Sequence, residues 1–522
     1  MKARIGSFMR YSPWLLTGLL ALLSLPLSIG LAVFWSALFL LGVQDLLQSS
    51  HAVRRNYPLT GRLRYALEYI RPEIRQYFVE SDEDKLPFSR NQRAIVYARS
   101  KLQNDKRGFG TIQDLYHQDT QWLAHSIFPT HPDPANFRVM VGQAQCAQPY
   151  AMSVLNVSGM SFGALSGNAI KALNKGAALG GFVHNTGEGS ISIHHQHGGD
   201  VVWQVASGYF GCRDANGHFD AERFANQATA PFVKMIELKL SQGAKPGHGG
   251  VLPGAKVSAE IAQARGVPAG QDCISPARHS AFSDFAGMLA FIAQLRELSG
   301  GKPVGLKLCI GNIDEWFSLV KAMLHSGQHP DFITLDGGEG GTGAAPVEFT
   351  DHVGMPMREG LRLVHNTLVG AGLRDKIRIG VAGKVISAFD IARCLALGAD
   401  WCNSARGFMF SLGCIQSRSC HTDHCPTGVA TQDPIRQQAV VVTDKAERVH
   451  TFHRSTLANL AELLGSAGLN KPDELQASHI LMRGENGEIV TLTQRVSTLA
   501  SGALLQPDVS NLPEPFKSQW RT

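Results

Sequence analysis

Charge is scarce in this sequence. Only 18% of its 522 residues are Asp, Glu, Lys or Arg, against 44% hydrophobic, and the formal net charge is +6. That charge is mild for the length, and no basic block interleaved with aromatics occurs, which argues against a nucleic-acid partner. From Pro13 to Val43 charge is missing altogether. A small-residue cleavage site is also missing from the end of that run, which is too long for a signal peptide. Cysteine is sparse: nine in all, scattered except for one trio, with no framework of the kind that staples secreted domains. A reducing, cytosolic setting for the folded part is the simpler reading.

One straight helix over Pro13–Val43 would rise about 46 Å, against a hydrocarbon core roughly 30 Å thick. Ser24-Leu25-Pro26-Leu27-Ser28 interrupts the run, and a proline there breaks or kinks a helix. A short helical hairpin and a single kinked span both remain. Lys2, Arg4 and Arg10 precede the run; Arg54, Arg55, Arg62 and Arg64 follow it. Positive flanks on both sides favour both ends in the cytoplasm, hence the hairpin. The sequence therefore predicts a membrane anchor over residues 1–50, in the inner (cytoplasmic) membrane, with the catalytic part facing the cytoplasm. A charged, aromatic, helix-leaning linker region follows over 51–148.

Beyond it a rhythm of short apolar runs and helical patterns begins. The runs are Ala151–Asn156, Gly181–His184, Phe232–Lys239, Gln271–Ser275, Val304–Cys309, Asp331–Leu335, Ile377–Val381 and Trp401–Ser404. Between them lie helical patterns such as "NAIKALNKGAALG", "FAGMLAFIAQLRELSG" and "ISAFDIARCLALGAD". Strands alternating with helices imply a parallel sheet. Eight such units favour an α/β fold of the (β/α)8 TIM-barrel class over a doubly wound sheet. The barrel domain is expected over 149–432, with a helical C-terminal extension over 433–522.

A barrel's active site sits at the C-terminal ends of its strands. Here those ends read SGMSFG, NTGEG, KLSQGAKPG, SPARHS, KLCIG, DGGEGGTG, VAGK and SARG. Such glycine-rich, polar turns let backbone approach a phosphate-bearing cofactor closely. Candidate cofactor contacts are Ser158, Gly159, Met160 and Ser161; Gly337, Gly338 and Gly341; and Gly383, Ala405 and Arg406 at the usual phosphate loops. Lys384 could add charge there. Lys307 faces the barrel mouth if Val304, Leu306 and Leu308 take the other phase, and a buried lysine needs an anionic partner. Lys239, Gln242, Lys245 and Arg265 read as a carboxylate clamp. Glu188 could serve as an acid or as a hydrogen-bond partner.

Cys414, Cys420 and Cys425 sit in "GCIQSRSCHTDHCPTGVATQ", just past the last predicted strand. Three soft thiolates without a fourth suit an iron–sulfur cluster with an incomplete cubane. Zinc completed by His421 or His424 is the rival. A disulfide would leave one cysteine over.

In order along the chain, "MSFGALSGNA", "NTGEGS", "QVASGYFG", "ELKLSQGAKPGHGGVLPGAKV", "ISPARH", "VGLKLC", "GGTGAAP", "LRDKIRI" and the cysteine loop resemble the FMN-binding central domain of glutamate synthase. The resemblance runs from about Leu155 to Gln432. It implies FMN, a 3Fe-4S cluster held by Cys414, Cys420 and Cys425, and 2-oxoglutarate as imine acceptor. Lys239, Gln242 and Arg265 fall where that family holds 2-oxoglutarate, Lys307 where it contacts the flavin, and Glu188 on its GEG glutamate. It further implies an amine donor and an external electron carrier: a ferredoxin-like protein, an NAD(P)H-dependent subunit or a membrane carrier. The chain departs from the family in showing no glutaminase-sized region before the barrel and no large C-terminal domain. His248 also stands in PGHGG where the family has Glu, and DGGLKTG is only loosely kept at Val381-Ala382-Gly383-Lys384. The expectation is a stand-alone, membrane-anchored glutamate synthase-like oxidoreductase on an amino acid/2-oxo acid couple, serving glutamate biosynthesis. The alternatives are a membrane electron-transfer module carrying FMN and a cluster, or an amine-oxidising dehydrogenase with another substrate.

Overall fold

The computed structural model describes residues 2–84, 87–243 and 245–520. They form two compact units, Met1–Asp84 and Lys85–Thr522.

In the first unit the apolar run folds as two helices, α1 (Lys2–Ser24) and α2 (Ile29–Leu47), with Pro26 in the turn between them. This is the hairpin rather than the kinked rod. Trp14 stacks on Phe39 at 5.0 Å between ring centroids, and its indole Nε1–H donates to the Phe39 carbonyl at 2.9 Å. Gly18 and Gly42 leave the space these two rings fill; a Cβ on Gly42 would overlap the Trp14 ring. Of the pair, α2 is long and apolar enough to cross a membrane. At its end the buried Asp45 carboxylate takes Arg54 and Arg62 at 2.8 Å each. Those arginines belong to α3 (Ala52–Asn56) and α4 (Gly61–Ile74), so one carboxylate ties both helices to the hairpin's base.

The second unit is built on a closed barrel of eight parallel strands. In order they are Leu155–Val157, His184–Asn185, Val201–Val205, Val233–Lys239, Val304–Leu308, Phe332–Asp336, Arg378–Ala382 and Trp401–Ser404. Side chains alternate across each strand, and the result is a layered interior. Met235, Phe332 and Trp401 fill the lowest layer with Val183 and Val202. Gly305 and Gly380 make room there, because a Cβ on either would strike the Phe332 or Trp401 ring. Burying each such aromatic stabilises the fold by about 1.5–3 kcal/mol. Two residues further along the strands come Glu237, Lys307, Thr334 and Asn403, a polar layer, and then Lys239 and Asp336 at the mouth. The opposite phase, Ile236, Leu238, Leu306, Ile333, Leu335 and Val381, packs under the helices.

Below the barrel the antiparallel pair Arg138–Val141 and Tyr150–Ser153 caps the open end, with Val141 and Met152 entering the lowest layer. Helix Val442–Ser466 packs against Gly167–Gly180, after the first strand, and Ala388–Ala396, after the seventh. It thereby occupies the eighth helix's place, since only Arg406–Ser411 directly follows the last strand.

Two expected strands fall elsewhere. The run 151–156 divides at Val154: its first part joins the cap and only its second part enters the barrel. The run 271–275 is not a barrel strand; Cys273–Ile274 pairs antiparallel with Val251–Leu252 in a long excursion after the fourth strand. The third strand is instead "VVWQV" at 201–205, masked because only a short turn at Ile193–His195, and no full helix, separates it from the second. Lys239 accordingly ends the fourth strand, and Lys307 remains on the fifth.

Asp331, beneath the sixth strand and 1% exposed, accepts from Arg296 Nε at 3.0 Å, Val304 N at 2.8 Å and Gln145 Nε2 at 2.8 Å. Asp331→Ala removes the ion-pair partner of the half-buried Arg296 and the acceptor for Val304 N, and a loss of about 1.5–3 kcal/mol is expected. A thermal-unfolding midpoint equal to wild type would show that this clasp does not stabilise the barrel floor.

Candidate active site

The C-terminal ends of all eight parallel strands open at one mouth, and a long excursion follows the fourth strand there. Lys239 and Glu188 form an ion pair at 2.8 Å, and Lys239 Nζ also donates to Gln242 Oε1 at 2.9 Å. The backbone of Gly250 lies directly against the Glu188 carboxylate. Arg265, brought in by the excursion's helix Ala259–Arg265, is 3% exposed. It donates to the Phe162 carbonyl at 3.1 Å and lies 5.2 Å from the Phe210 ring. Burial pushes the Glu188 carboxyl up, but Lys239, Arg265 and Lys245 outweigh it and hold it below its ordinary value. Glu188 is therefore a carboxylate near neutral pH, able to accept a proton and not to supply one. The structure thus brings together Glu188, Lys239, Gln242, Arg265 and Lys245, the last itself 3% exposed and donating to the Ala344 carbonyl at 3.1 Å.

Lys307 finds its counter-charge within the protein, at Asp336 Oδ2, 3.5 Å away. Burial pushes Lys307 down, while Asp336, Glu237 and Glu188 more than offset this and keep it protonated. Glu237, below it, accepts from Asn185 Nδ2 at 2.8 Å and Gln204 Nε2 at 2.6 Å. Its inward phase was visible in the strand alternation, but its partner Gln204 lies on the unrecognised third strand. His279 is another residue the sequence did not single out. The Lys239 carbonyl can only accept, so His279 Nε2–H donates to it at 2.8 Å, leaving Nδ1 to accept from Tyr209 Oη at 3.0 Å. Burial lowers His279 to about 4, and the ring is neutral.

At the far side of the mouth, Arg406 Nη1 is buried without a protein acceptor. Such an orphan donor is costly and fits an anionic group supplied from outside. Lys384, held at φ 51°, and Arg406 both lie 6.0 Å from the Phe88 ring. Gly159 sits tight against Asn185 and Gln204, where no side chain would fit. Ser158 N is bonded to the Ser404 carbonyl across the first and eighth strands, and Ser161 carries the turn through Leu165 N. Met160 is buried, Gly341 is open to its surroundings, and Gly383 packs against Met357. The N–H groups of Gly337 and Gly338 are taken by the Ala382 and Met355 carbonyls, so these glycines shape the loop from within.

The cysteine loop follows. Cys414 and Cys425 are buried and Cys420 half-buried. Burial raises Cys414, with Cys420 and Cys425 close enough to raise it further; Arg406 opposes this. Burial also acts on Cys425, but the Thr427 hydroxyl and three backbone N–H groups win and lower it, favouring the thiolate. Gln416, Arg418 and Asp423 all adopt positive φ, 62°, 61° and 66°. Non-glycine residues rarely do so, and such strain persists only where the surroundings impose it. Here the pins are visible. Gln416 donates to the Phe88 carbonyl at 3.0 Å, and Gln432 to the carbonyls of Gly163 and Leu165 at 3.0 and 2.9 Å. Lys256, 4% exposed, donates to the Cys420 carbonyl at 2.9 Å and pairs with Asp423 at 3.7 Å. Among the described residues no three His, Cys, Asp or Glu are gathered tightly enough to hold a single ion.

Lys256→Met removes that brace, at a cost of about 1.5–3 kcal/mol for a charged hydrogen bond. Tryptic cleavage after the exposed Arg418 should then accelerate relative to wild type. Unchanged cleavage would mean that the loop holds its shape without Lys256.

A family model described as the conserved region in glutamate synthase matches residues 118–470. The glutamate synthase large subunit-like protein YerD of Bacillus subtilis is 38% identical over 504 residues, covering 88% of this chain and 95% of that protein. The archaeal glutamate synthase [NADPH] of Archaeoglobus fulgidus is 34% identical over 329 residues, or 63% of this chain and 61% of that one. The chain thus spans nearly all of the former and about three fifths of the latter. A solved flavocytochrome b2 mutant with pyruvate bound aligns over 84% of this chain and 90% of its own, at 12% identity and a TM-score of 0.43.

Proposed function

The chain belongs to the glutamate synthase family, oxidoreductases acting on CH-NH2 carbons, and on that premise we propose that it interconverts a 2-oxo dicarboxylate, 2-oxoglutarate first, and its amino acid. One observation carries the substrate class. Lys239, Lys245 and Arg265 all converge on a single carboxylate, Glu188. Three cations against one anion leave two positive charges, the complement of a dianion. Arg265 grips one carboxylate in its planar fork, and Lys245 offers a point charge. Gln242 and Glu188 hold Lys239 Nζ in place, 2.9 and 2.8 Å away. The Lys239–Glu188 pair can pass one proton to or from a substrate nitrogen.

FMN, when bound, supplies the hydride chemistry. The orphan Nη1 of Arg406, with Lys384 and the Gly383 and Ala405 turns, would hold its phosphate. Lys307 and the strand end from Ser158 to Ser161 would border its ring. A 3Fe-4S cluster, when bound, supplies one-electron relay to an external carrier; Cys414, Cys420 and Cys425 would hold it. Three soft thiolates without a fourth suit an iron–sulfur cluster with an incomplete cubane better than a four-coordinate zinc site. The hairpin of α1 and α2 supports a membrane anchor, with the catalytic unit at the cytoplasmic face.

The purified full chain should show flavin absorbance together with iron and acid-labile sulfide. Cys414→Ser should remove the iron and its broad visible band while flavin stays. A colourless, iron-free wild-type protein would end this reading, and reduced protein indifferent to every oxo acid offered would turn it into an electron relay. Lys245→Met should raise KM for the oxo acid roughly 10–100-fold, the worth of a charged hydrogen bond. Burial lowers Lys245 below the ordinary lysine value of 10.5. As pH rises, its charge is lost earlier than an ordinary lysine's, and KM should climb on the alkaline side accordingly. Lys245→Arg should flatten that climb; a steep climb persisting in the arginine variant would remove Lys245 from the clamp.

A further inference from the structure

Helix α4 carries an apolar stripe that the described residues of its own unit leave exposed. Leu63, Leu67, Ile70 and Ile74 recur at helical spacing on one face and are 62%, 50%, 43% and 40% exposed. The chain runs on through a wide turn at Arg75–Val79, where Tyr77 and Phe78 are 55% and 85% exposed. Arg64, Arg71 and Arg75, all exposed, fall along one flank of the stripe. Tyr65 and Tyr69 are exposed as well. An apolar stripe edged by arginine, on a helix that also exposes tyrosines, is the pattern of a helix lying in a bilayer's headgroup layer. Position agrees with pattern. The Arg62–Asp45 and Arg54–Asp45 pairs fasten the start of α4 to the end of α2, so the stripe begins where the apolar hairpin stops. Glu80, Asp82, Glu83 and Asp84 follow it, a run of acids that an anionic surface would repel and that marks where the chain leaves it.

We propose that residues 61–79 form a second, in-plane contact with an anionic lipid surface, the apolar stripe inserted and Arg64, Arg71 and Arg75 on lipid phosphates. The proposal rests on the hairpin being the membrane anchor. It makes the protein a reader of lipid charge, because each arginine near an anionic surface strengthens binding several-fold and a neutral surface offers no such gain.

The full chain would be reconstituted into vesicles of phosphatidylcholine alone and of phosphatidylcholine mixed with phosphatidylglycerol. Flotation reports the anchor, and amide hydrogen exchange across 61–79 reports the in-plane contact. The expected result is flotation with both vesicles, with exchange over 61–79 slowed by about tenfold or more only where phosphatidylglycerol is present. In the triple variant Arg64→Glu, Arg71→Glu, Arg75→Glu, the chain should still float while that extra protection disappears. Equal exchange in both vesicles, or protection already present in detergent, would overturn the proposal while leaving the anchor standing. A chain that floats with neither overturns the anchor reading, and the in-plane contact falls with it.

Discussion

A buried cation must be compensated, and the mouth of this barrel is organised around that requirement. Lys239, Lys245, Lys256, Lys307 and Arg265 are all nearly removed from solvent. Each unpaired charge of this kind would cost several kcal/mol. The chain answers in two ways. Lys307 and Lys256 are matched inside the protein by Asp336 and Asp423 respectively, with the Cys420 carbonyl also accepting from Lys256. At the mouth Lys239, Lys245 and Arg265 share one carboxylate, and their compensation is left incomplete. The first group holds the loops in place; the second keeps an unfilled electrostatic demand facing the opening. The same physics therefore separates structural lysines from ligand-seeking ones, although nothing in their local sequence does.

That separation explains how far the sequence could be read. Lys239, Gln242 and Glu188 were legible because each stands in an ordered motif, Arg265 from its place between two such motifs, and the structure brings the four together. Lys307 was legible from strand alternation alone. Asp336 and Lys256 were not. Asp336 looked like one more polar residue in a glycine-rich turn, and Lys256 sat in a motif with no assigned partner. Their roles depend on contacts spanning 29 residues in one case and 167 in the other, and periodicity carries no information about such distances. The third barrel strand was missed for a related reason: alternation of strand and helix is the signal for a barrel, and the second connection contains no full helix.

The cysteine loop shows the two kinds of information working together. Its cysteine spacing was visible at once, but three left-handed non-glycine residues were not. Held by Phe88, Gly163, Leu165 and Lys256, the loop touches the N-terminal segment, the first strand's turn and the excursion that delivers Arg265. A displacement of the loop is thus felt both where an anion would bind and where an oxo acid would bind. Coupling of this sort needs no long pathway, because the elements are in direct contact.

The helix at Val442–Ser466 bears on the order of assembly. It fills the barrel's last lateral gap, yet it is synthesised after every strand it covers. While the ribosome is still working toward it, the helices after the first and seventh strands have an exposed apolar seam between them. The hairpin, by contrast, precedes every strand. The nascent chain consequently has its first unit formed while its barrel is still unsealed, and the seam closes only when Val442–Ser466 emerges. A truncation that removed Val442–Ser466 would act on the whole barrel rather than on an appendage, leaving a barrel with an open side.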